Sequence, residues 1–247
     1  MSLLLLDVGN SRLKWTAADA AGPDTGLGEG GAIEHGGNPA AAVAAINIAK
    51  ADAIWIANVT GAALGDKLAA VLKTQFGVAP RFAAVQAGHA GLCAAYAEPR
   101  LLGIDRWLAL LAAWTETRGP ACVVSAGTAL TFDAVDAGGQ HLGGVIAPGL
   151  LTMQQAVLGA TRFPATGPTQ IYTEGLGTDT DACVRQGALH AAAGMVERLA
   201  GRYAGEGVQR LITGGDAARL LPHVGEGWTI RPNLVMEGLL AYARGAQ

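Results

Sequence analysis

Short hydrophobic runs alternate with amphipathic stretches along this chain, which is the pattern of an α/β protein. Leu3–Leu6 and Ala121–Val124 are apolar runs long enough to form buried strands. Each run leads into a turn with a central glycine and then into a second strand-like stretch, at Arg12–Ala18 and Leu130–Val135. The same strand–turn–strand element therefore occurs twice, once at the start of each half.

The other predicted elements give each half a mixed β-sheet covered by helices. In the first half we expect turns with one short strand in 22–37, helices at Pro39–Ala49 and Ala62–Phe76, a strand at Ala53–Ala57, a loop at Val85–Arg100, and a helix from Gly103. In the second half we expect strands at Leu142–Ala147 and Gln209–Thr213, and helices at Pro148–Leu158, Asp179–Tyr203, Asp216–Leu221 and Asn233–Ala243. Gly119-Pro120 marks the boundary, so the prediction is two α/β lobes, residues 1–118 and 119–247, with a cleft between them.

Composition and charge exclude several classes of protein. The longest apolar run, Trp107–Trp114, is far shorter than the ~20 residues of a membrane span. The N-terminus has no basic leader, so we expect a cytoplasmic protein. A net charge of −3 gives no reason to expect a nucleic-acid partner. Cys93, Cys122 and Cys183 have no metal-ligand spacing, so we expect reduced, mostly buried thiols and no structural zinc.

Both glycine-centred turns could bind phosphate. Asp7-Val8-Gly9-Asn10-Ser11 and Ser125-Ala126-Gly127-Thr128-Ala129 each follow a predicted strand. Glycine lets the backbone approach a ligand, and successive N–H groups with short polar side chains form an anion-binding concavity. Either turn alone is more typical of an ordinary hairpin turn. Their repetition favours a polyphosphate held from two sides. By contrast, Gly26–Gly31 matches the letters of the dinucleotide-binding pattern GxGxxG but is not predicted to begin a helix, so we do not expect a dinucleotide site there. The sequence also contains no GxxxxGK[ST] motif.

The start of the predicted helix near Gly103 supplies candidates for chemistry. Phosphoryl transfer to an alcohol benefits from a carboxylate that accepts the hydroxyl proton and from donors that neutralise developing charge. Asp105 and Arg106 could provide both from one turn. The alternatives are a carboxylate that only favours the helix N-terminus and an arginine that only forms a surface or ion-pair contact.

The chain resembles the type III pantothenate kinases. The resemblance rests on six motifs whose order and spacing cover nearly the whole chain. They are Asp7–Ser11 with Lys14, the Tyr-x-x-Pro-x-x-Leu-Gly-x-Asp-Arg string from Tyr96 to Arg106, Gly127-Thr128-Ala129-x-Thr131, Gly143-Gly144-x-Ile146-x-Pro148-Gly149, Thr178-Asp179-Thr180 and Thr213-Gly214-Gly215-x-Ala217.

The resemblance implies an actin-like, ribonuclease H-like duplicated fold, shared with acetate kinase, sugar kinases and Hsp70, with ATP in the cleft. It implies ATP-dependent phosphorylation of pantothenate to 4'-phosphopantothenate, the first step of coenzyme A biosynthesis. It also implies Mg²⁺ with ATP, commonly a monovalent cation (K⁺ or NH₄⁺), and a homodimer whose interface completes the pantothenate pocket. No metal ligand is assigned.

Carried over residue by residue, the resemblance makes Asp105 the general base. It assigns ATP contacts to Asp7, Val8, Gly9, Asn10, Ser11, Arg12, Leu13, Lys14, Gly127, Thr128, Gly214 and Gly215. It assigns pantothenate contacts to Tyr96, Gly103, Ile104, Asp105, Arg106 and Thr180. Without the resemblance, Tyr96 would be read as a core tyrosine, Thr180 as a helix N-cap, and Gly214-Gly215 as a plain strand-to-helix loop.

One position departs from the family pattern, and two other functions stay open. Ser125 stands where the family usually has an aspartate associated with the monovalent cation, which puts K⁺ binding in doubt because a hydroxyl is a poorer ligand than a carboxylate. The alternatives are another small-molecule kinase or phosphatase of the same superfamily, and a transcriptional accessory protein, since relatives have been labelled Bvg accessory factors. Asp105, Lys14 and the acidic charge favour catalysis.

Overall fold

The computed structural model describes residues 1–20, 26–163, 167 and 170–246. The strands are β1 Ser2–Val8, β2 Arg12–Asp19, β3 Leu27–Glu34, β4 Ala53–Asn58, β5 Arg81–Phe82, β6 Gly88–His89, β7 Leu92–Cys93, β8 Ala121–Ala126, β9 Ala129–Val135, β10 His141–Pro148, β11 Gln209–Thr213 and β12 Trp228–Ile230. The α-helices are α1 Pro39–Ala42, α2 Ala62–Phe76, α3 Ile104–Thr117, α4 Leu150–Ala160, α5 Thr180–Tyr203, α6 Ala217–Leu220 and α7 Leu234–Gly245. Short 3-10 turns cover Val43–Ala45, Pro99–Leu101 and Leu221–His223.

The chain forms two compact units. The first contains 1–116 together with 233–247, and the second contains 117–232. The first unit has a five-stranded sheet of order β3-β2-β1-β4-β5, in which β1 runs antiparallel to β2 and parallel to β4. Leu3, Leu4, Leu5 and Leu6 of β1 are all buried, so this strand is covered on both faces, as a central strand with parallel pairing usually is.

The second unit repeats this sheet. Its order is β10-β9-β8-β11-β12, with β8 antiparallel to β9 and parallel to β11. Apolar side chains of β8 and β9 pack with those of α5, including Leu189, Ala192 and Val196, in one buried cluster. The predicted duplication of two mixed sheets is confirmed, and in both units the glycine turn follows the central strand.

The C-terminal helix differs from the predicted division at residue 118. We expected residues 233–247 in the second lobe, but α7 packs against β1 and β4 of the first unit. Gly238 also lets α7 lie close to α3, because a Cβ atom there would collide with the Leu108 carbonyl. The first sheet therefore covers the apolar face of α7.

Several local predictions were also wrong. The helix expected at Pro39–Ala49 is only α1 and a 3-10 turn, because Ile46 takes an extended backbone and buries its side chain. The loop expected at Val85–Arg100 contains the β6–β7 hairpin. In 22–37, β3 is longer than the short strand expected, while residues 21–25 lie outside the described residues.

The cysteines only partly match their prediction. Cys122 is buried in β8, and burial raises the pKa of its thiol to about 11. Cys93 and Cys183 are exposed, so the expectation of mostly buried thiols was wrong. All three are free. Within the described part of the chain, no helix is long and apolar enough to cross a bilayer.

Candidate active site

The first glycine turn joins β1 to β2 and carries two charged neighbours. Gly9 N–H donates to the Arg12 carbonyl at 3.0 Å and closes the turn. Asp7 and Lys14 are register partners in the antiparallel pair, so their side chains leave the same face of the sheet. Both are half-buried. The turn thus presents a carboxylate and an ammonium beside exposed backbone.

Asp7 is electrostatically coupled to Asp105. Burial is the largest effect on Asp7 and raises its pKa to about 6, the nearby Lys14 opposes this, and the Asp105 charge adds to it. The first glycine turn and the first turn of α3 are therefore close together within the first unit. A carboxylate with a raised pKa beside a second carboxylate and a lysine is a typical functional arrangement.

The other predicted contacts of this turn divide into two kinds. Val8 and Leu13 are fully buried in the hydrophobic core, so only their backbone could reach a ligand. Arg12 is exposed, and its guanidinium lies 2.7 Å from the Glu34 carboxylate. Asn10 and Ser11 are exposed at the tip. The candidate phosphate contacts in this turn are thus mostly backbone groups.

The first turn of α3 holds the candidate base. Asp105 is half-buried, and the Gly103 carbonyl accepts from Trp107 N–H at 3.0 Å as the helix begins. A Cβ atom at Gly103 would come within 2.7 Å of Asp105 Oδ1. Glycine at 103 therefore leaves room for the Asp105 carboxylate, while Ile104 between them is buried.

Arg106 and Tyr96 form a polar pair next to Asp105. The Arg106 guanidinium donates to the Tyr96 hydroxyl at 3.2 Å, and Arg106 is only 7% exposed. Tyr96 is half-buried rather than a core residue. Trp107 and Trp114 are buried, as expected of core residues. A buried guanidinium can bind an anionic group strongly because water competes weakly there.

The second glycine turn joins β8 to β9 and is supported by α4. Gly127 N–H donates to the Ala129 carbonyl at 3.0 Å. The Thr128 carbonyl accepts from Gly149 N–H at 2.9 Å and from the Thr152 hydroxyl at 2.8 Å. A Cβ atom at Gly149 would collide with the Gly127 carbonyl. The start of α4 thus packs directly on this turn.

The turn that follows β11 is a third backbone segment, and it packs against the end of β8. Gly214 has φ +99°, and a Cβ atom there would collide with the Ala126 carbonyl, which also accepts from Asp216 N–H at 3.0 Å. Gly215, by contrast, has open space around it. A small pocket forms here, lined by residues from these three segments and from α5: Ala126, Gly127, Leu130, Gly149, Leu150, Ala192, Asp216 and Leu220.

Thr180 begins α5 in the second unit. The N-cap is Asp179, whose carboxylate accepts from Ala182 N–H at 2.8 Å, so the alternative reading of Thr180 as the cap is wrong. The Thr180 side chain is half-buried and not used for capping. Thr180 therefore does not have the capping role that the sequence alone suggested.

Ser125 occupies the position in β8 that Asp7 occupies in β1, two residues before the glycine of the turn. It pairs in register with Thr131 of β9 and Thr213 of β11, which places three hydroxyl side chains side by side on one face. Among the described residues there is no group of three His, Cys, Asp or Glu side chains suited to a metal ion.

Sequence reasoning missed two contacts of these turns. The Thr152 hydroxyl donates a hydrogen bond to the second turn. The ring of His35 forms a hydrogen bond of 2.8 Å with the Gly9 carbonyl of the first turn. Neither belongs to a local motif with the residue it contacts. Only the tertiary fold brings them together.

Comparison with solved structures shows the fold. The chain is similar to a Campylobacter jejuni protein described as a Baf family transcriptional activator, with TM-score 0.61, 21% identity and coverage of 98% and 97%. It is also similar to (R)-2-hydroxyglutaryl-CoA dehydratase component A from Acidaminococcus fermentans, with TM-score 0.56, 14% identity and full coverage of both chains. These likenesses show the fold, which is that of actin-like ATPases and sugar kinases.

The sequence comparisons identify the family. The family model "Type III pantothenate kinase" matches residues 3–202. A type III pantothenate kinase from Nitrosococcus oceani is 34% identical over 98% of this chain and 94% of its own length, and one from Xanthomonas campestris pv. campestris is 37% identical over 98% of both. The chain belongs to the type III pantothenate kinase family.

Proposed function

We propose that this chain transfers a phosphoryl group from ATP to pantothenate, giving 4'-phosphopantothenate in the first step of coenzyme A biosynthesis. Membership of the family supports the reaction. The observation that carries the assignment of the site is the coupling of Asp7 with both Lys14 and Asp105 beside the first glycine turn. No observation on this chain favours a transcriptional role over catalysis.

Asp105 is the proposed general base. It accepts the proton of the primary hydroxyl of pantothenate as that oxygen attacks the γ-phosphate of ATP. Gly103 leaves space for the carboxylate, and Arg106, with Tyr96, supplies donors for the polar groups of pantothenate. Thr180 and the backbone of Ile104 are the remaining proposed contacts.

The two glycine turns are the proposed phosphate sites. In the first turn the proposed phosphate contacts are the Asn10 N–H and Lys14, and in the second turn the Thr128 N–H, because the N–H groups of Gly9 and Gly127 close their own turns. Gly214 and Gly215 form the proposed adenosine-side turn. The backbone of Gly149 packs directly against that of Gly127, and the backbone of Gly214 against that of Ala126, so the second turn is closely packed.

Mg²⁺ with ATP fits the residues present. Mg²⁺ usually binds one or two carboxylates together with substrate phosphates and keeps several waters, so it needs no cluster of protein ligands. Asp7 is the residue that would hold it, since a half-buried carboxylate with a raised pKa gains from a nearby cation. When bound, the ion neutralises charge on the phosphates.

We propose that a K⁺ or NH₄⁺ ion binds only weakly at position 125 of this chain, because Ser125 offers only a hydroxyl. We expect Ser125→Asp to change the K⁺ dependence of activity or the apparent ATP affinity, with pantothenate affinity less affected. Ser125→Asn, which adds the same bulk without charge, is the control. Potassium titrations that superimpose for all three proteins would show that position 125 is not coupled to a cation.

We also propose a cytoplasmic homodimer in which the partner completes the pantothenate pocket. In the second unit, Ile171 and Leu176 precede Thr180 and are 74% and 90% exposed. Large apolar side chains this exposed favour coverage by another chain. No nucleic acid or membrane partner is expected.

An acceptor panel tests the function. Purified protein with ATP and Mg²⁺ should phosphorylate pantothenate in a coupled assay and leave hexoses and polyphosphate unused. Turnover of a sugar but not of pantothenate would assign the chain another kinase activity of the same superfamily.

A further inference from the structure

His35 connects the end of β3 to the first glycine turn. It is 8% exposed, and its Nε2 lies 2.8 Å from the Gly9 carbonyl oxygen. Its backbone N–H donates to the Ser11 carbonyl at 3.2 Å. Two carbonyl groups of the proposed phosphate turn are therefore directed toward one buried residue.

The other ring nitrogen fixes the tautomer. Gly37 N–H donates to His35 Nδ1 at 3.1 Å, so Nδ1 must carry its lone pair. Nε2 therefore bears the proton and donates to the Gly9 carbonyl. Gly37 can make this contact because its φ of +86° folds the chain back over the ring.

The hydrogen bond to Gly9 determines where the next amide points. In a planar trans peptide the C=O and N–H directions are opposite, so a Gly9 carbonyl held toward His35 turns the Asn10 N–H to the other side. Asn10 is exposed, and within the described residues its N–H has no acceptor. If this peptide flipped, a carbonyl oxygen would replace the N–H and repel a phosphate.

We propose that His35 is a positioning residue that holds the Gly9–Asn10 peptide with its N–H directed at the ATP phosphates. The proposal rests on the proposed role of Asp7–Lys14 in phosphate binding. His35 itself stays on the opposite side of the peptide from the ligand. It acts by keeping the phosphate site formed before ATP arrives.

Two amide substitutions separate the two ring contacts. The amide of glutamine reaches as far from the backbone as Nε2, whereas the amide of asparagine reaches only as far as Nδ1. His35→Gln can therefore keep the donor to Gly9, and His35→Asn can keep only the acceptor for Gly37. Both remove the ring and are similar in polarity, so they form a matched pair.

We expect His35→Asn to lower kcat/KM for ATP about tenfold, the scale of one lost hydrogen bond that orients a binding group. His35→Gln should recover most of this loss, and KM for pantothenate should stay the same in both. ADP binding measured by calorimetry without pantothenate should follow the same order. Equal kcat/KM for ATP and equal ADP affinity in the Asn and Gln variants would overturn the proposal, because a merely structural role does not distinguish them.

A measurement on the unaltered protein covers the case in which a variant does not fold. On adding ADP with Mg²⁺, the amide proton of Asn10 should be among the most strongly shifted in the nuclear magnetic resonance spectrum. An Asn10 amide that does not move while ADP binds would also overturn the proposal. ADP binding without pantothenate turnover would contradict the pantothenate reaction but leave this test intact.

Discussion

The electrostatic surroundings of Asp7 indicate where the candidate active site lies. Its position after the buried run Leu3–Leu6 takes the carboxylate partly out of water, and Asp105 adds a second negative charge that Lys14 only partly offsets. The residue is therefore costly to the folded protein when ionised. Such a cost is common where the ligand supplies the missing positive charge.

The first prediction concerns the stability of Asp7→Asn without ATP or Mg²⁺. The pKa of Asp7 is about 6 in the folded state and 3.8 for the ordinary group, so the folded state binds the proton more tightly. The contribution of Asp7 to the free energy of unfolding is therefore most favourable below pH 4 and is lost as pH rises through 6. Asn does not titrate, so the variant should gain stability over wild type across this range, by at most about 3 kcal/mol.

Urea unfolding of both proteins between pH 4 and pH 8 measures this difference. Asp66→Asn, at an exposed position on α2, serves as the control and should show no such trend. A stability difference between Asp7→Asn and wild type that stays constant with pH would contradict the assigned burial.

At the scale of elements, the turn after β11 depends on one of its two glycines. Gly214 combines a positive φ with backbone contact to Ala126, whereas Gly215 has open space. We predict that Gly214→Ala lowers the free energy of unfolding by about 1–3 kcal/mol, through backbone strain and displacement of the turn. Gly215→Ala should change it by less than about 0.5 kcal/mol. Equal destabilisation by the two substitutions in thermal or urea unfolding would disprove the close approach.

Which elements could be predicted depended on how local their signals were. The helix predicted at Ala62–Phe76 has the bounds of α2, because Leu68 and Leu72 keep helical spacing and Gly77 ends it with a left-handed backbone. The β6–β7 hairpin left no such signal, since each strand has only two residues. The site divides in the same way. The glycine turns stand out in the sequence, but the approach of Gly149 to Gly127 depends on packing between distant segments.

The whole molecule is organised by duplication. Two sheets of the same order each place a glycine turn after the central strand, and Asp7 and Ser125 occupy equivalent positions in them. The copies have diverged in charge, so only the first turn carries a carboxylate there. Asp105 lies in the first unit and Thr180 in the second. The dimer proposal pairs these two residues from different chains, so it concerns the whole molecule.

A mixed dimer tests whether the pantothenate pocket is shared between subunits. We propose that Asp105 of one chain meets Thr180 of the other, so Asp105→Ala and Thr180→Arg should each be nearly inactive as homodimers. In a mixed dimer one site carries both lesions and the other neither, so co-expression should restore up to about half of wild-type activity per heterodimer. No recovery in heterodimers isolated with two different tags would place both residues in the pocket of one subunit.

The central claim is that Asp105 is the base in ATP-dependent phosphorylation of pantothenate. The most direct measurement compares kcat of wild type, Asp105→Asn and the exposed control Asp66→Asn, with ADP binding measured in parallel. We expect Asp105→Asn to fold and bind ADP normally and to lose about 100- to 10,000-fold in kcat, while Asp66→Asn matches wild type. Near-normal turnover by a verified preparation of Asp105→Asn would contradict the claim.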